Sequence, residues 1–363
     1  MQSMEKLDCR GYLEDELAEV CLQNGLKKYR ANQLFNWINQ KSAQHWDEIK
    51  NIGKADRDTL NRIFTLKPLE IMRIQQSKDG TRKFLFQLAD GETIETVLMD
   101  YTNLDSRDRQ TVCVSTQVGC PVGCSFCATG MAGFRRNLTV GEITGQILDV
   151  TRYLQQEDPE FKVTNIVYMG MGEPFLNYEA VMKAIGILNS ENGQKIGMRR
   201  VTISTSGIVP KILKLAEDNP QVGLAVSLHA ASNKVRDRLV PINKRYPLAQ
   251  LMEACRVYST QTNRRVTFEM ALNETNASKE EAMALVSLLH GMLAHVNLIP
   301  VNPVFGSGIQ RPSKEKITDF KRTLEAGNIP VSIREEKGLD IDAACGQLRQ
   351  RLESEIDESV KPS

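Results

Sequence analysis

The sequence predicts an α/β protein in which a parallel sheet or barrel follows a small helical segment and a β-meander. Three observations carry this. From residue 111 onward, strand-like and helix-like runs alternate down to residue 335, the pattern of a parallel sheet with covering helices. Residues 13 to 64 have helical apolar spacing instead, with Leu34, Trp37 and Ile38 on one face and Leu60, Ile63 and Phe64 on another. Between the two, Asp79-Gly80 and Asp90-Gly91 separate β-rich runs, as in a meander.

The expected divisions are a helical domain over 1–66, a meander linker over 67–103, a catalytic core over 104–348 and a polar tail over 349–363. In the core the strands read TVCVSTQV, NIVYMG, RVTIST, GLAVSLHA, RRVTFEMAL, HVNLIPVNP and IPVSIRE, each preceded or followed by an amphipathic run. In such an arrangement ligands belong at the C-terminal ends of the strands. Ser278 with Glu281 is expected to form a capping box for the helix from residue 279. No internal repeat is evident.

Composition narrows the class. The chain has 363 residues, 41% apolar and 25% charged, an ordinary balance for a protein with a sizeable core. No apolar run approaches membrane-spanning length, and the first residues lack a secretory pattern. The expectation is a cytoplasmic monomer. In that reducing compartment the eight cysteines need an explanation other than a disulfide framework. The net charge of +1 gives no global case for a nucleic-acid partner. Basic pairs do recur at Lys27/Lys28, Arg82/Lys83, Arg135/Arg136, Arg199/Arg200, Lys244/Arg245 and Arg264/Arg265. They would suit a phosphate-contacting rim or simply a solvated surface.

Cys120, Cys124 and Cys127 form a CxxxCxxC directly after the first strand of the core. Three thiolates so spaced can converge on one centre. An iron–sulfur cluster ordinarily takes four, so three would leave one iron open, whereas a structural zinc site would close its fourth position. On spacing alone both stay open.

CxxxCxxC with Phe126 beside Cys127 resembles the radical S-adenosylmethionine (SAM) superfamily. GMGEP at 170–174, STSG at 204–207, SLHA at 227–230, LIPVNP at 298–303 and DIDAACGQL at 340–348 sharpen this to a resemblance to the RlmN and Cfr family of RNA adenine methyltransferases, from YRANQLFNWI to the end of the core. The resemblance implies a partial (β/α)6 radical SAM barrel with an N-terminal RNA-contacting domain. It implies a [4Fe–4S] cluster on Cys120, Cys124 and Cys127, and SAM held by Gly172, Glu173, Ser204, Ser227, Leu228, His229 and Asn302. Two SAM molecules would be used per turnover, one to methylate Cys345 and one as the source of a 5′-deoxyadenosyl radical that takes hydrogen from the thiomethyl group. Cys113 would then release the adenine by forming a transient disulfide with Cys345, and Glu95 would remove the carbon-2 proton. The implied partners are 23S rRNA, tRNA and an electron donor such as flavodoxin or ferredoxin, with no membrane.

Carbon 2 of adenine is electron-poor and cannot attack a methyl cation donor, which is why a radical route is needed. Val118, Pro174 and Pro300 resemble the carbon-2 branch and not the carbon-8, Cfr-type branch. A noncatalytic iron–sulfur or zinc RNA-binding protein would need neither Cys345 nor the SAM contacts. A small-molecule or peptide substrate would leave the N-terminal domain unexplained. The family usually has Gly-x-Asn-Asp where this chain has Glu274-Thr275-Asn276-Ala277, so an adjusted loop is expected there. Cys9, Cys21 and Cys255 match no functional position. Met131, Met169 and Met171 would either pack on adenine rings or fill the core.

Overall fold

The computed structural model describes residues 6–101, 109–218, 221–302, 304 and 306–348; the expected tail at 349–363 and Pro303 of LIPVNP lie outside them. At the N-terminus, β1 (Leu7–Asp8) pairs in parallel with β2 (Phe64–Thr65), and α1 (Glu14–Gln23), α2 (Tyr29–Asn39) and α3 (Lys54–Ile63) lie between them in sequence. Their shared core holds Leu17, Leu34, Phe35, Ile38, Leu60 and Phe64 together with Leu148 and Ile187 from the barrel helices. Arg10 reinforces the join. It is buried, and its guanidinium pairs with Asp8 at 2.9 Å and Asp149 at 3.4 Å, while Asp149 also accepts from the Leu69 N–H at 2.8 Å.

The meander is β3 (Glu70–Gln76), β4 (Arg82–Gln87) and β5 (Thr93–Asp100), antiparallel throughout. Its turns use Gly80 and Gly91 at φ +85° and +86°, the left-handed region that favours glycine. β5 then pairs with β6 (Gln110–Cys113), so the expected linker is one edge of the main sheet. The remaining strands of that sheet are β9 (Asn165–Tyr168), β10 (Val201–Thr205), β11 (Gly223–Ser227), β12 (Val266–Leu272), β13 (Ala294–Pro300) and β14 (Val331–Ile333), and the sheet has ten strands in the order 14-13-12-11-10-9-6-5-4-3. From β6 to β14 all its neighbours run parallel. Among the described residues β14 and β3 do not meet, so this is an open barrel. The helices on its outside are α5 (Val140–Leu154), α6 (Tyr178–Asn189), α7 (Val209–Asp218), α8 (Asn233–Leu239), α9 (Leu248–Thr262), α10 (Lys279–Leu289) and α11 (Lys314–Ala326). Between β6 and α5 lie the short hairpin strands β7 (Gln117–Gly119) and β8 (Phe134–Asn137), with α4 (Ala128–Met131) between them in sequence.

Two local expectations need correction. The run TVCVSTQV is not one strand: α5 contributes Gln146, whose side chain accepts from the Ser115 N–H at 2.8 Å and donates to the Ser115 carbonyl at 2.9 Å. With its ladder groups taken, the chain leaves the sheet and restarts as β7. Ser278 does cap α10, accepting from the Glu281 N–H at 3.2 Å. Glu281, however, does not close a capping box; its carboxylate accepts from the Ala231 N–H, in the loop after β11. The divergent 274–277 loop is held by Asn276, which is buried and donates to the carbonyls of His229 at 2.8 Å and Ala271 at 2.9 Å.

Candidate active site

The C-terminal ends of β9 to β13 surround a cavity of about 150 Å³, lined by Cys120, Cys124 and Cys127 on one side and by Gly172, Glu173, Ser204, Ser227, His229, Asn302 and Cys345 on the other. All of these were expected from the sequence to act together. Leu228 is packed into the hydrophobic core beneath.

The cluster loop is held by nonlocal hydrogen bonds: Cys120 N–H donates to Gly133 O at 2.7 Å and Ser125 N–H to Leu239 O at 3.2 Å. Burial pushes the Cys120 thiol up to about 12 and the Cys124 thiol well above its usual range, and each neighbouring sulfur adds to the effect. Three soft sulfur donors bordering one cavity suit an iron–sulfur cluster. Among the described residues no three His, Cys, Asp or Glu side chains close round a single ion; the three thiols instead border a cavity, as a polynuclear group requires.

Gly172 has φ +104°, and a Cβ there would lie 2.6 Å from Gln117 Cβ, so the turn admits only glycine. The next residue, Glu173, is buried, and burial raises its carboxyl group. Its oxygens accept from Ser206 N–H and Oγ–H, both at 2.7 Å, and from Phe175 N–H at 3.1 Å. Ser204 Oγ donates to Glu269 at 3.0 Å and lies 3.4 Å from Ser227 Oγ. His229 is held at φ +60°, packs edge-on against Phe126, and accepts at Nδ1 from the Ala271 N–H at 2.9 Å. Burial pushes it down to about 3. It is therefore a neutral imidazole with Nε2–H toward the cavity, suited to donating a hydrogen bond and not to moving protons. Asn302 Oδ1 has no hydrogen-bond partner among the described residues, which leaves an acceptor for a ligand in the cavity wall.

Cys345 also borders a second, narrow pocket, shared with Cys113, Met169 and Arg334. The thiols feel one another: burial pushes Cys113 up to about 12, and Cys345 adds to this, while Arg334 opposes it. Burial likewise raises Cys345, with Arg334 again the opposing charge. Both cysteines are free. The loop that carries Cys345 is tied to the cluster helix, with Ala128 N–H donating to Gly346 O at 2.8 Å and Thr129 Oγ to Leu348 O at 2.7 Å. It is tied to the meander through Lys83 Nζ on Asp342 O at 3.2 Å.

Glu95 stands apart from these cavities. It is buried, not the exposed strand residue its position suggests without the resemblance, and its carboxylate pairs with Lys83 at 3.1 Å. Met169 borders both pockets, Met171 is core and Met131 is half exposed. Sequence reasoning missed Arg334, Glu269 and Ser206. Also missed was Arg236, fully buried, whose guanidinium binds the carbonyls of Leu228 at 2.9 Å, Ser206 at 2.6 Å and Ser227 at 3.2 Å, fastening two strand ends of the cavity. Only the Ser of STSG carried a motif signal; the others are single residues on strands or helices.

Residues 114–286 match the Radical SAM superfamily and residues 8–66 the Ribosomal RNA large subunit methyltransferase N-terminal domain. The chain is 61% identical to the Probable dual-specificity RNA methyltransferase RlmN of Desulfitobacterium hafniense strain Y51, over 98% of this chain and 99% of that one. The chain belongs to the RlmN family of RNA methyltransferases. The RlmN protein of Heliobacterium modesticaldum is 48% identical over 98% of this chain and 92% of its own. A crystal structure of a radical SAM methyltransferase from Sphaerobacter thermophilus superimposes with a TM-score of 0.90 at 47% identity, covering 95% of this chain and 100% of that one. Membership implies a [4Fe–4S] cluster and SAM, and RNA as the substrate. No helix among the described residues is long and apolar enough to cross a membrane.

Proposed function

We propose that this RlmN-family enzyme methylates carbon 2 of an adenine in 23S rRNA and of an adenine beside the anticodon of some tRNAs, in the cytoplasm, with Cys345 as methyl carrier. The observation that carries the reading is the position of Cys345, bordering both the cavity of the three cluster cysteines and the pocket of Cys113. A carrier must face a methyl donor on one side and a resolving thiol on the other.

The cluster and SAM, held by Cys120, Cys124 and Cys127 and by Glu173, Ser204, Ser227, His229 and Asn302, supply the one-electron chemistry that carbon 2 demands. The protein's own groups do the rest. Arg334 favours the Cys345 thiolate against the cost of burial, and a thiolate is the nucleophile for methyl displacement. Cys113, which shares a pocket with Cys345, would attack the Cys345 sulfur: an S–S bond forms as the bond from that sulfur to the carbon on adenine breaks, the electron pair stays with that carbon, which takes up a proton to become the methyl group, and an external thiol reductant reopens the disulfide. Glu95, paired with Lys83, would take the carbon-2 proton. Two SAM molecules and one external electron donor, such as flavodoxin or ferredoxin, complete the stoichiometry.

Nucleoside mass spectrometry of a 23S rRNA fragment incubated with enzyme, SAM and reductant should show 2-methyladenosine; predominant 8-methyladenosine would move the chain to the Cfr-type reaction. In parallel, Cys113→Ala should retain RNA covalently attached at Cys345, and Cys113→Ala/Cys345→Ala should not. An adduct that survives in the double variant removes Cys345 from the carrier role.

A further inference from the structure

The pocket beside Cys113 and Cys345 holds only about 30 Å³, no room for a nucleotide, since ligand sites run to several hundred Å³, and the cavity bordered by the cluster cysteines is already assigned to the cluster and SAM. A third cavity, of about 740 Å³, fills the lower half of the barrel. Thr111, Asn165, Thr202, Thr267, Asn297 and Ser332, from six strands, line it. Met99, Met169, Arg334 and Glu335 line both this bore and the cysteine pocket, and Thr111 and Cys113 lie two residues apart on the same face of β6. The bore thus leads to the reacting thiols from below.

Its walls have unused hydrogen-bonding groups. Thr111 Oγ1 and His295 Nδ1 have no hydrogen-bond partner among the described residues, and His295 Nε2 lies 2.8 Å from Ser332 Oγ. At its mouth stand Arg109, Arg199 and Arg200, all exposed. Their surroundings set them apart from the pairs Arg82/Lys83 and Arg135/Arg136. Arg82 is paired with Glu157, Lys83 with Glu95, Arg135 with Glu92, and Arg136 with Asp90 and Glu142. The three mouth arginines form no ion pair with a carboxylate among the described residues; Arg199 donates to Gln221 and Arg109 stacks on Tyr101. A neighbouring cleft bordered by Arg200, Lys195, Lys162 and Gln40 extends this basic face to the N-terminal domain.

We propose that the target adenosine enters through this N-terminal mouth of the barrel, with Arg109, Arg199 and Arg200 holding the phosphates that flank it. This rests on the reading of Cys345 as methyl carrier. Arg109 lies four residues before Cys113, roughly 13 Å at the rise of a strand. A base extruded from its stack and anchored by its phosphates at the mouth would therefore be delivered to the thiols. SAM is bound from the opposite end, so the two substrates do not compete for one opening.

The test uses the full-length holoenzyme and an unmodified RNA fragment. Arg109→Ser/Arg199→Ser/Arg200→Ser should weaken RNA binding roughly tenfold or more and lower the slope of log K against log salt by about two, at about 0.7 per phosphate contact. The charge-matched control Arg256→Ser/Lys321→Ser/Arg322→Ser, on the outer helices α9 and α11, should do neither. Equal losses in the two variants, or none in the first, overturn the proposal. Thr202→Trp, which fills the bore, should abolish RNA methylation while Cys345 still gains a methyl group from SAM, read by intact mass. Methyladenosine formed at the wild-type rate in Thr202→Trp overturns the route, and if that variant does not fold, the arginine variants decide. Wild-type protein whose Cys345 gains no methyl group would instead sink the carrier reading, independently of the route.

Discussion

The two ends of the barrel are built in opposite ways. At the C-terminal end, polar groups come in runs such as Met171-Gly172-Glu173-Pro174 and Ser204-Thr205-Ser206-Gly207, and most are mutually satisfied: Glu173 by Ser206 and Phe175, Ser204 by Glu269. At the N-terminal end they are single residues from many strands, and some of their atoms, such as Thr111 Oγ1 and His295 Nδ1, have no hydrogen-bond partner among the described residues. A closed constellation of this kind positions a small cofactor; an open polar bore with unpaired arginines admits a flexible, charged substrate. The contrast also separates what each end costs when altered, because a preorganised group acts as a unit whereas dispersed phosphate contacts add one by one.

The largest effect is expected at the cofactor end. Cys124→Ala should lose the iron–sulfur chromophore and all RNA methylation, whereas Thr267→Ser in the bore should keep both within roughly a factor of a few. Iron analysis and methyladenosine yield check this. Stoichiometric iron with activity in Cys124→Ala would dissolve the contrast.

An intermediate effect is expected where the two ends meet, at Arg334. Its guanidinium is the positive charge nearest both thiols and pairs with Glu269 at 3.4 Å. The sign follows from the charge: Arg334 favours the thiolate, so its removal raises the Cys345 thiol and shifts the rise of methylation with pH to higher pH. Each pH unit of that shift is worth tenfold below the thiol range, so Arg334→Met should slow Cys345 methylation on the order of tenfold at neutral pH. Arg334→Lys should restore most of the rate. A rate that falls equally at every pH would mean that Arg334 only supports the fold.

How far the sequence revealed each end follows from the same difference. The three cluster cysteines were legible from their spacing, and Glu173, Ser204, Ser227, His229, Asn302 and Cys345 through the family resemblance, because each sits in a short run with its neighbours that can be matched. The pairing of Cys113 with Cys345 came only from resemblance, since nothing local joins positions 113 and 345. Arg334, Glu269 and Arg236 were invisible for a related reason. Each acts through a tertiary contact, Arg236 through the carbonyls of Ser206, Ser227 and Leu228, and a carbonyl has no sequence signature. The basic pairs illustrate the converse: all looked alike in sequence, and only the fold distinguishes Arg136, clasped by Asp90 and Glu142, from Arg199 and Arg200.

The smallest effect concerns Ser278 and Glu281, which look like one local device and act as two. Ser278 caps α10, and Ser278→Ala should cost about 1 kcal/mol of stability with no change in SAM affinity. Glu281 reaches away from its helix to the Ala231 N–H, two residues beyond His229 in the loop that borders the SAM cavity. Glu281→Ala therefore loosens that loop, and the dissociation constant for SAM should rise roughly two- to tenfold, the worth of one hydrogen bond. The helix keeps its Ser278 cap, so the thermal midpoint should fall no further than in Ser278→Ala. Calorimetry of unfolding and SAM titration of both variants separate the two roles. If both variants change stability alone, the Ala231 contact does not position the cofactor loop, and the sequence-level capping box is the better description of the pair.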